Sequence, residues 1–274
     1  MVVHRAIQVF PLFCANATTM LNHTTNNGTG PDVILVHGNS MDLGVWSKQL
    51  SDPSLKGLNL IAVDLPGHGA SSRYPADRAY TVDAFADDVA DFVRSRDRPY
   101  LVGHSLGGHI GMRVLQRCPT VRGIVLMGTP PLRGTQDLPA AYLPHPALMK
   151  AFQADLSESD ASALAEAYGW HGSLHTAAIT RMVLNTDRRV RADLGQQMAT
   201  GQFDDEQAML HNATVPACVV HGAQDPLIAT AYLEGLAPTY FWQGRVHLIP
   251  DAGHTPQLQR PDAFARLMLD FVAP

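Results

Sequence analysis

Five short runs of this chain are apolar at every position and rich in β-branched residues: Val33–Val36, Leu60–Val63, Tyr100–Val102, Ile124–Met127 and Ala217–Val220. A strand with one wet face alternates polar and apolar residues, whereas a strand buried on both faces reads apolar throughout. Val246–Ile249 is read as the last of the series. Between these runs the period changes to that of helices. Thr81–Ser95 sets Val82, Phe85, Val89, Phe92 and Val93 on one stripe and leaves Asp83, Asp87, Asp88 and Asp91 outside it. Asp262–Val272 repeats the pattern with Phe264, Leu267, Met268 and Phe271, and Pro261 precedes it where proline suits a helix entry. Buried strands alternating with amphipathic helices specify an α/β fold, a mostly parallel central sheet flanked by helices.

The alternation stops between Leu132 and Asn212. These residues are helical in period and contain no clear strand. Ser157-Glu158-Ser159-Asp160 reads as an N-cap opening Ala161–Tyr168, and Ala177–Thr200 as one long helix or two shorter ones. The domain organisation expected is therefore a core of residues 1–131 and 213–274 with a helical cap, 132–212, inserted over the carboxyl edge of the sheet, where such folds carry their sites. Thr24–Gly30 reads as a hairpin turn. The apolar run Ala6–Ala15, broken by Gln8 and Pro11, reads as a first strand and turn in preference to an export signal.

Bulk properties narrow the partners. The 274 residues carry a net charge of −5 and no basic block that could track phosphates. Three scattered cysteines, Cys14, Cys118 and Cys218, suit neither a disulfide framework nor a zinc site, and the last two read as buried thiols. No apolar stretch reaches the roughly 18 residues of a membrane span. The expectation is a cytoplasmic protein, acting without cofactor or metal on a small molecule, with no nucleic-acid or membrane partner; its oligomeric state is left open.

The chemistry sits at strand ends. Gly103-His104-Ser105-Leu106-Gly107 follows one apolar run and precedes the helical run Gly108–Arg117. A nucleophile elbow needs small residues two before and two after the serine, because strand and helix backbones crowd there. A serine hydroxyl also needs a base, oriented in turn by a third group. His254, in Asp251–Pro256 after the last strand, is the candidate base, and Asp225, directly after the Ala217 strand, is the candidate acid. The backbone N–H groups of Leu106 and of Asn39, in His37-Gly38-Asn39-Ser40, are the expected oxyanion donors. His37 is read as pinning its loop, and Asp64–Gly69 as a loop-shaping element. Trp170, Phe152, Met149, Tyr168 and Met182 are candidates to line an acyl channel in the cap.

Taken in order, these motifs resemble the α/β-hydrolase family across the whole chain. Serine at 105 separates it from the dehalogenase and epoxide hydrolase branches, which carry aspartate there. A closer resemblance is to the α/β-hydrolase type of N-acyl-homoserine lactonase, the quorum-quenching enzymes. It rests on His37–Ser40, Ser105–Gly111, Gly128-Thr129-Pro130-Pro131, Tyr168, Asn185–Arg188, Trp242-x-Gly244 and Ala252–His254. The resemblance implies that Asn39 and Tyr168 contact the lactone. Two positions depart from that type: Asp225 stands where it has glutamate, and Gln257-Leu258 where it has an apolar aromatic. The leading expectation is hydrolysis of an ester or lactone through an acyl-Ser105 intermediate. Carboxylesterase, perhydrolase or carbon–carbon hydrolase chemistry, a cofactor-free dioxygenase using the His–Asp dyad as base, and a ligand receptor remain as rivals.

Overall fold

The computed structural model describes residues 21–169 and 175–272. Its seven-stranded sheet comprises β1 (His23–Thr25), β2 (Asp32–Val36), β3 (Asn59–Val63), β4 (Tyr100–His104), β5 (Gly123–Met127), β6 (Ala217–Gly222) and β7 (Val246–Ile249), in spatial order β1-β3-β2-β4-β5-β6-β7. All neighbours are parallel except β1 with β3. The apolar runs lie side by side: Val33 pairs with both Leu60 and Tyr100, Leu101 with Ile124, and Val125 with Cys218. Helices cover both faces, so these strands are buried throughout, as an all-apolar pattern demands. The chain winds outward from β2 to β3, then crosses back to place β4 on the other side of β2. Such a reversal leaves a crevice outside the carboxyl ends of the two central strands. The loops after β2 and β4 both open into it.

Among the described residues, eight helices have seven residues or more: α1 (Val82–Arg94), α2 (Leu106–Arg117), α3 (Glu158–Gly169), α4 (Thr176–Asn185), α5 (Arg188–Thr200), α6 (Glu206–Asn212), α7 (Thr230–Tyr240) and α8 (Pro261–Val272). None is long and apolar enough to cross a membrane. Between β5 and β6 the described chain forms helices and turns and adds no strand to the sheet. The start of α3 is a reciprocal capping box: the Asp160 N–H donates to Ser157 Oγ at 3.1 Å, and the Ser157 N–H to Asp160 Oδ2 at 3.3 Å.

One local reading needs correction. Thr24–Gly30 is not a hairpin turn, since β1 pairs with β3 and not with β2. The buried Asn26 ends the strand instead: its amide donates to the Leu55 and Leu58 carbonyls while its oxygen accepts from Gly28 and Leu60 N–H. Asp88, outside the apolar stripe of α1, is nonetheless buried, where it accepts from the Tyr74 hydroxyl and pairs with Arg78 at 3.1 Å. A polar period cannot distinguish water from a buried polar partner. The strand expected in Ala6–Ala15 lies outside the described residues.

Asp187 breaks Ala177–Thr200 into α4 and α5 and ties them to the core. Its Oδ1 accepts from the Arg189 N–H at 3.1 Å, its Oδ2 from the Tyr80 hydroxyl at 3.0 Å, and its own N–H donates to the Gly67 carbonyl at 2.8 Å. Losing a helix cap and a buried charge-assisted bond together costs about 2 kcal/mol. Asp187→Ala is therefore expected to lower the urea midpoint at constant slope; an unchanged midpoint would show that the tie carries no stability.

Candidate active site

At the end of β4 the backbone turns sharply. Ser105 adopts φ +51° and ψ −115°, and α2 begins at the next residue. Two glycines make room for the turn. A Cβ on Gly103 would sit 2.3 Å from the Gly107 carbonyl oxygen, and one on Gly107 would sit 2.3 Å from that of Val36. The strain at Ser105 is held by surrounding bonds: its N–H donates to the Met127 carbonyl at 2.8 Å, and its carbonyl accepts from the Thr129 hydroxyl at 2.9 Å. The Leu106 N–H is the first of α2, one of the donors that a helix start leaves without an intrahelical acceptor.

Beyond β6, the Asp225 carboxylate is fixed from two sides. Oδ1 accepts from the Leu227 and Ile228 N–H groups at 2.8 and 3.2 Å, and Oδ2 accepts from His254 Nδ1 at 2.8 Å. Burial disfavours its charge, but His254, the nearby His221 and the Leu227 N–H outweigh burial and hold its pKa below the ordinary carboxylate value. With Nδ1–H directed at a carboxylate, neutral His254 leaves Nε2 as an acceptor. The backbone of His254 is held as well, since His104 Nε2–H donates to its carbonyl at 2.8 Å.

The loop after β2 depends on histidines that bind backbone. His37 Nδ1–H donates to the Gly38 carbonyl at 2.8 Å, and its Nε2 accepts from the Leu65 N–H at 3.0 Å. His68 accepts from the Ser40 N–H at 3.3 Å and donates to the Pro66 carbonyl. Asn39 lies between these anchors. Its side-chain amide donates to the Ala151 carbonyl at 2.8 Å, which joins the loop to the helical segment between β5 and β6. Arg191 on α5 extends that junction, donating to the carbonyls of Gln153, Ala154 and Val183 and to Ser40 Oγ.

Ser105, Leu106, His254, Asn39, Tyr168 and Phe152 line one cavity. The Tyr168 ring stacks on the His254 ring, with centroids 5.7 Å apart and planes 26° from parallel. Thr255 Oγ1 and Gln259 Nε2 donate to the Tyr168 and Gly169 carbonyls, so the end of α3 is clamped to the His254 loop. The two methionines lie elsewhere. Met149 is 64% exposed, because the turn Leu148–Phe152 directs Leu148, Ala151 and Phe152 at the cavity and Met149 away from it. Met182 is half-buried with its terminal methyl against Gly44, in the turn after β2. Trp170 lies outside the described residues. Gln257 is buried and binds Gln49 through its carbonyl, away from the cavity lining.

Sequence reasoning assigned no role to His109, Tyr142 and Glu206, which also line the cavity. The one available signal was the i, i+4 spacing of Ser105 and His109 across the start of a helix. Glu206 is 97 residues from His109, and no local pattern joins them.

Residues 33–267 match the model of the alpha/beta hydrolase family. The chain belongs to the alpha/beta hydrolase family. Relatives of this hydrolase include pimeloyl-[acyl-carrier protein] methyl ester esterases. That of Aromatoleum aromaticum is 30% identical over 254 residues, 88% of this chain and 98% of the relative. That of Nitrosomonas europaea is 28% identical over 250 residues, 88% and 96% of the two chains. The N-acyl homoserine lactonase AidH, solved in complex with N-butanoyl homoserine, superposes with a TM-score of 0.85 at 27% identity, over 94% of this hydrolase and 95% of the lactonase.

Proposed function

We propose that this hydrolase opens N-acyl-homoserine lactones, with Ser105 as nucleophile, His254 as general base and Asp225 as its orienting acid. The observation that carries the reading is the 2.8 Å bond between Asp225 and His254 beside a cavity that Ser105 also lines. Ser105 Oγ bonds to the lactone carbonyl carbon while its proton passes to His254 Nε2. The Asn39 and Leu106 N–H groups face the oxyanion that forms. The ring C–O bond then breaks, and the same proton goes to the departing alkoxide, which stays tethered to the acyl group. Water, deprotonated by His254, attacks the acyl-serine; the acyl–Oγ bond breaks, the proton on His254 passes to Ser105 Oγ, and the ring-opened acid leaves.

The lactone, as the specific substrate, is supported by the likeness to a lactonase over nearly the whole chain and by Asn39 and Tyr168 on the cavity wall. The methyl ester esterase relatives favour a second reading, general carboxylesterase action with the same residues. The two separate in one assay. N-acyl-homoserine lactones of several chain lengths and p-nitrophenyl esters are supplied in parallel, without added metal. Lactone opening at a kcat/KM comparable to or above ester cleavage is the expected outcome, whereas opening far slower than ester cleavage would leave the esterase reading alone.

A further inference from the structure

The cavity beside Ser105 contains a second imidazole held by a carboxylate. His109 lies one helical turn beyond Ser105 on α2, and its Nδ1 contacts both oxygens of Glu206 at 2.9 Å. Glu206 is buried and also accepts from Arg113 at 2.8 Å and from the Leu132 N–H at 3.1 Å. Burial alone would favour its neutral form, but His109, Arg113 and the Leu132 N–H prevail and keep it ionised. An ionised carboxylate only accepts, so the Nδ1 of His109 carries a proton, and with that proton alone the ring leaves Nε2 as an acceptor. The partner of Nε2 is the Tyr142 hydroxyl at 3.4 Å, beyond the usual range for an O–H···N bond of full strength. His109, Tyr142, Ser105 and His254 all line the same cavity.

We propose that His109 Nε2 and the Tyr142 hydroxyl form a subsite for a hydroxyl group on the acyl chain of the substrate. The pair offers one acceptor and one donor, the complement of a single hydroxyl, which donates to Nε2 and accepts from the phenol. A ketone at the same place engages the phenol alone, and a methylene engages neither. Helical side chains lean toward the helix N-terminus, so the ring of His109 is inclined back toward Ser105. That inclination favours a hydroxyl close to the scissile carbonyl, and the assignment is to the β-carbon. The inference rests on Ser105 being the nucleophile, and it holds for an ester as for a lactone.

The test compares kcat/KM for N-hexanoyl, N-(3-oxohexanoyl) and N-(3-hydroxyhexanoyl) homoserine lactone, and for the methyl esters of the same three acids. The wild type is expected to favour the 3-hydroxy over the unsubstituted compound about tenfold, the effect of one well-placed hydrogen bond, with the 3-oxo compound between them. Tyr142→Phe and His109→Phe should each bring that ratio close to one, and His109→Gln, which restores an acceptor, should recover part of it. Tyr142→Phe leaves the Glu206–His109–Arg113 cluster whole, so a folding defect in the His109 variants does not obscure the outcome. A wild-type ratio near one, or a ratio unchanged in Tyr142→Phe, would overturn the subsite and leave His109 as a clamp between α2 and α6. If only the methyl esters turn over, the lactone reading fails while the ratio among the esters still decides the subsite.

Discussion

Ser105→Ala is expected to lower kcat on p-nitrophenyl esters and acyl lactones by roughly 10⁴- to 10⁶-fold, the loss typical when a triad nucleophile is removed. The fold should survive. Ser105 lines the cavity, and its backbone strain is held by main-chain and Thr129 contacts that alanine leaves in place. Unfolding midpoints within about 0.5 kcal/mol of wild type would show that chemistry alone was lost. The size of the drop separates the mechanisms. A dioxygenase using the His254–Asp225 pair as base would keep most of its turnover without Ser105. A ligand receptor would show no burst of p-nitrophenol in the wild type and no acyl adduct by mass spectrometry. A burst, an adduct on Ser105 and a collapse of kcat in the variant together define an acyl-enzyme.

The sheet was legible because its strands are buried on both faces, and a run such as Val33–Val36 admits few other placements. The elements that misled are those whose environment is set by distant residues. β1 is three residues long and polar, and becomes a strand only against β3. Asp88 has the sequence context of a surface aspartate and is buried by Tyr74 and Arg78. The positions of Ser105, Asp225 and His254 at strand ends could be read because a loop following a buried strand must emerge at one edge of the sheet. The cavity wall could not. Much of it is built by helices and turns between β5 and β6, whose orientation depends on contacts such as Asn39 with Ala151 and Arg191 with Gln153, each spanning tens of residues. Met149 was a plausible lining residue by type, but it lies on the outer side of its turn.

Acid should destabilise this protein steeply below pH 6.5. His37, His68 and His104 are fully buried, and burial pushes each below the usual histidine pKa, His104 to about 3. The Nε2 atoms of His37 and His68 accept backbone N–H bonds that a second ring proton would abolish. His104 Nδ1 is buried and has no hydrogen-bond partner among the described residues. In the unfolded chain each titrates near 6.5. Between that value and the folded pKa the unfolded state therefore binds the extra proton. Stability is full well above pH 6.5 and falls as pH drops, by at most about 1.4 kcal/mol per unit for each histidine. From pH 6.5 to 5.5 His104, with its folded pKa at about 3, removes about 1 kcal/mol, and His37 and His68 add to the loss in the same direction. Asp225 and Glu206 do not act in this window: their lowered pKa values supply stability that is lost only below about pH 4. Urea midpoints at pH 7.5, 6.5 and 5.5 test this, and equal midpoints would show that the histidines do not report on folding. The consequence for catalysis is a matter of slope. One essential base gives an acid limb of unit slope in log kcat/KM against pH. Histidines 37, 68 and 104 secure the loops that carry Asn39, Ser105 and His254, so their protonation dismantles the site with the fold, and the limb below pH 6 should be steeper than one.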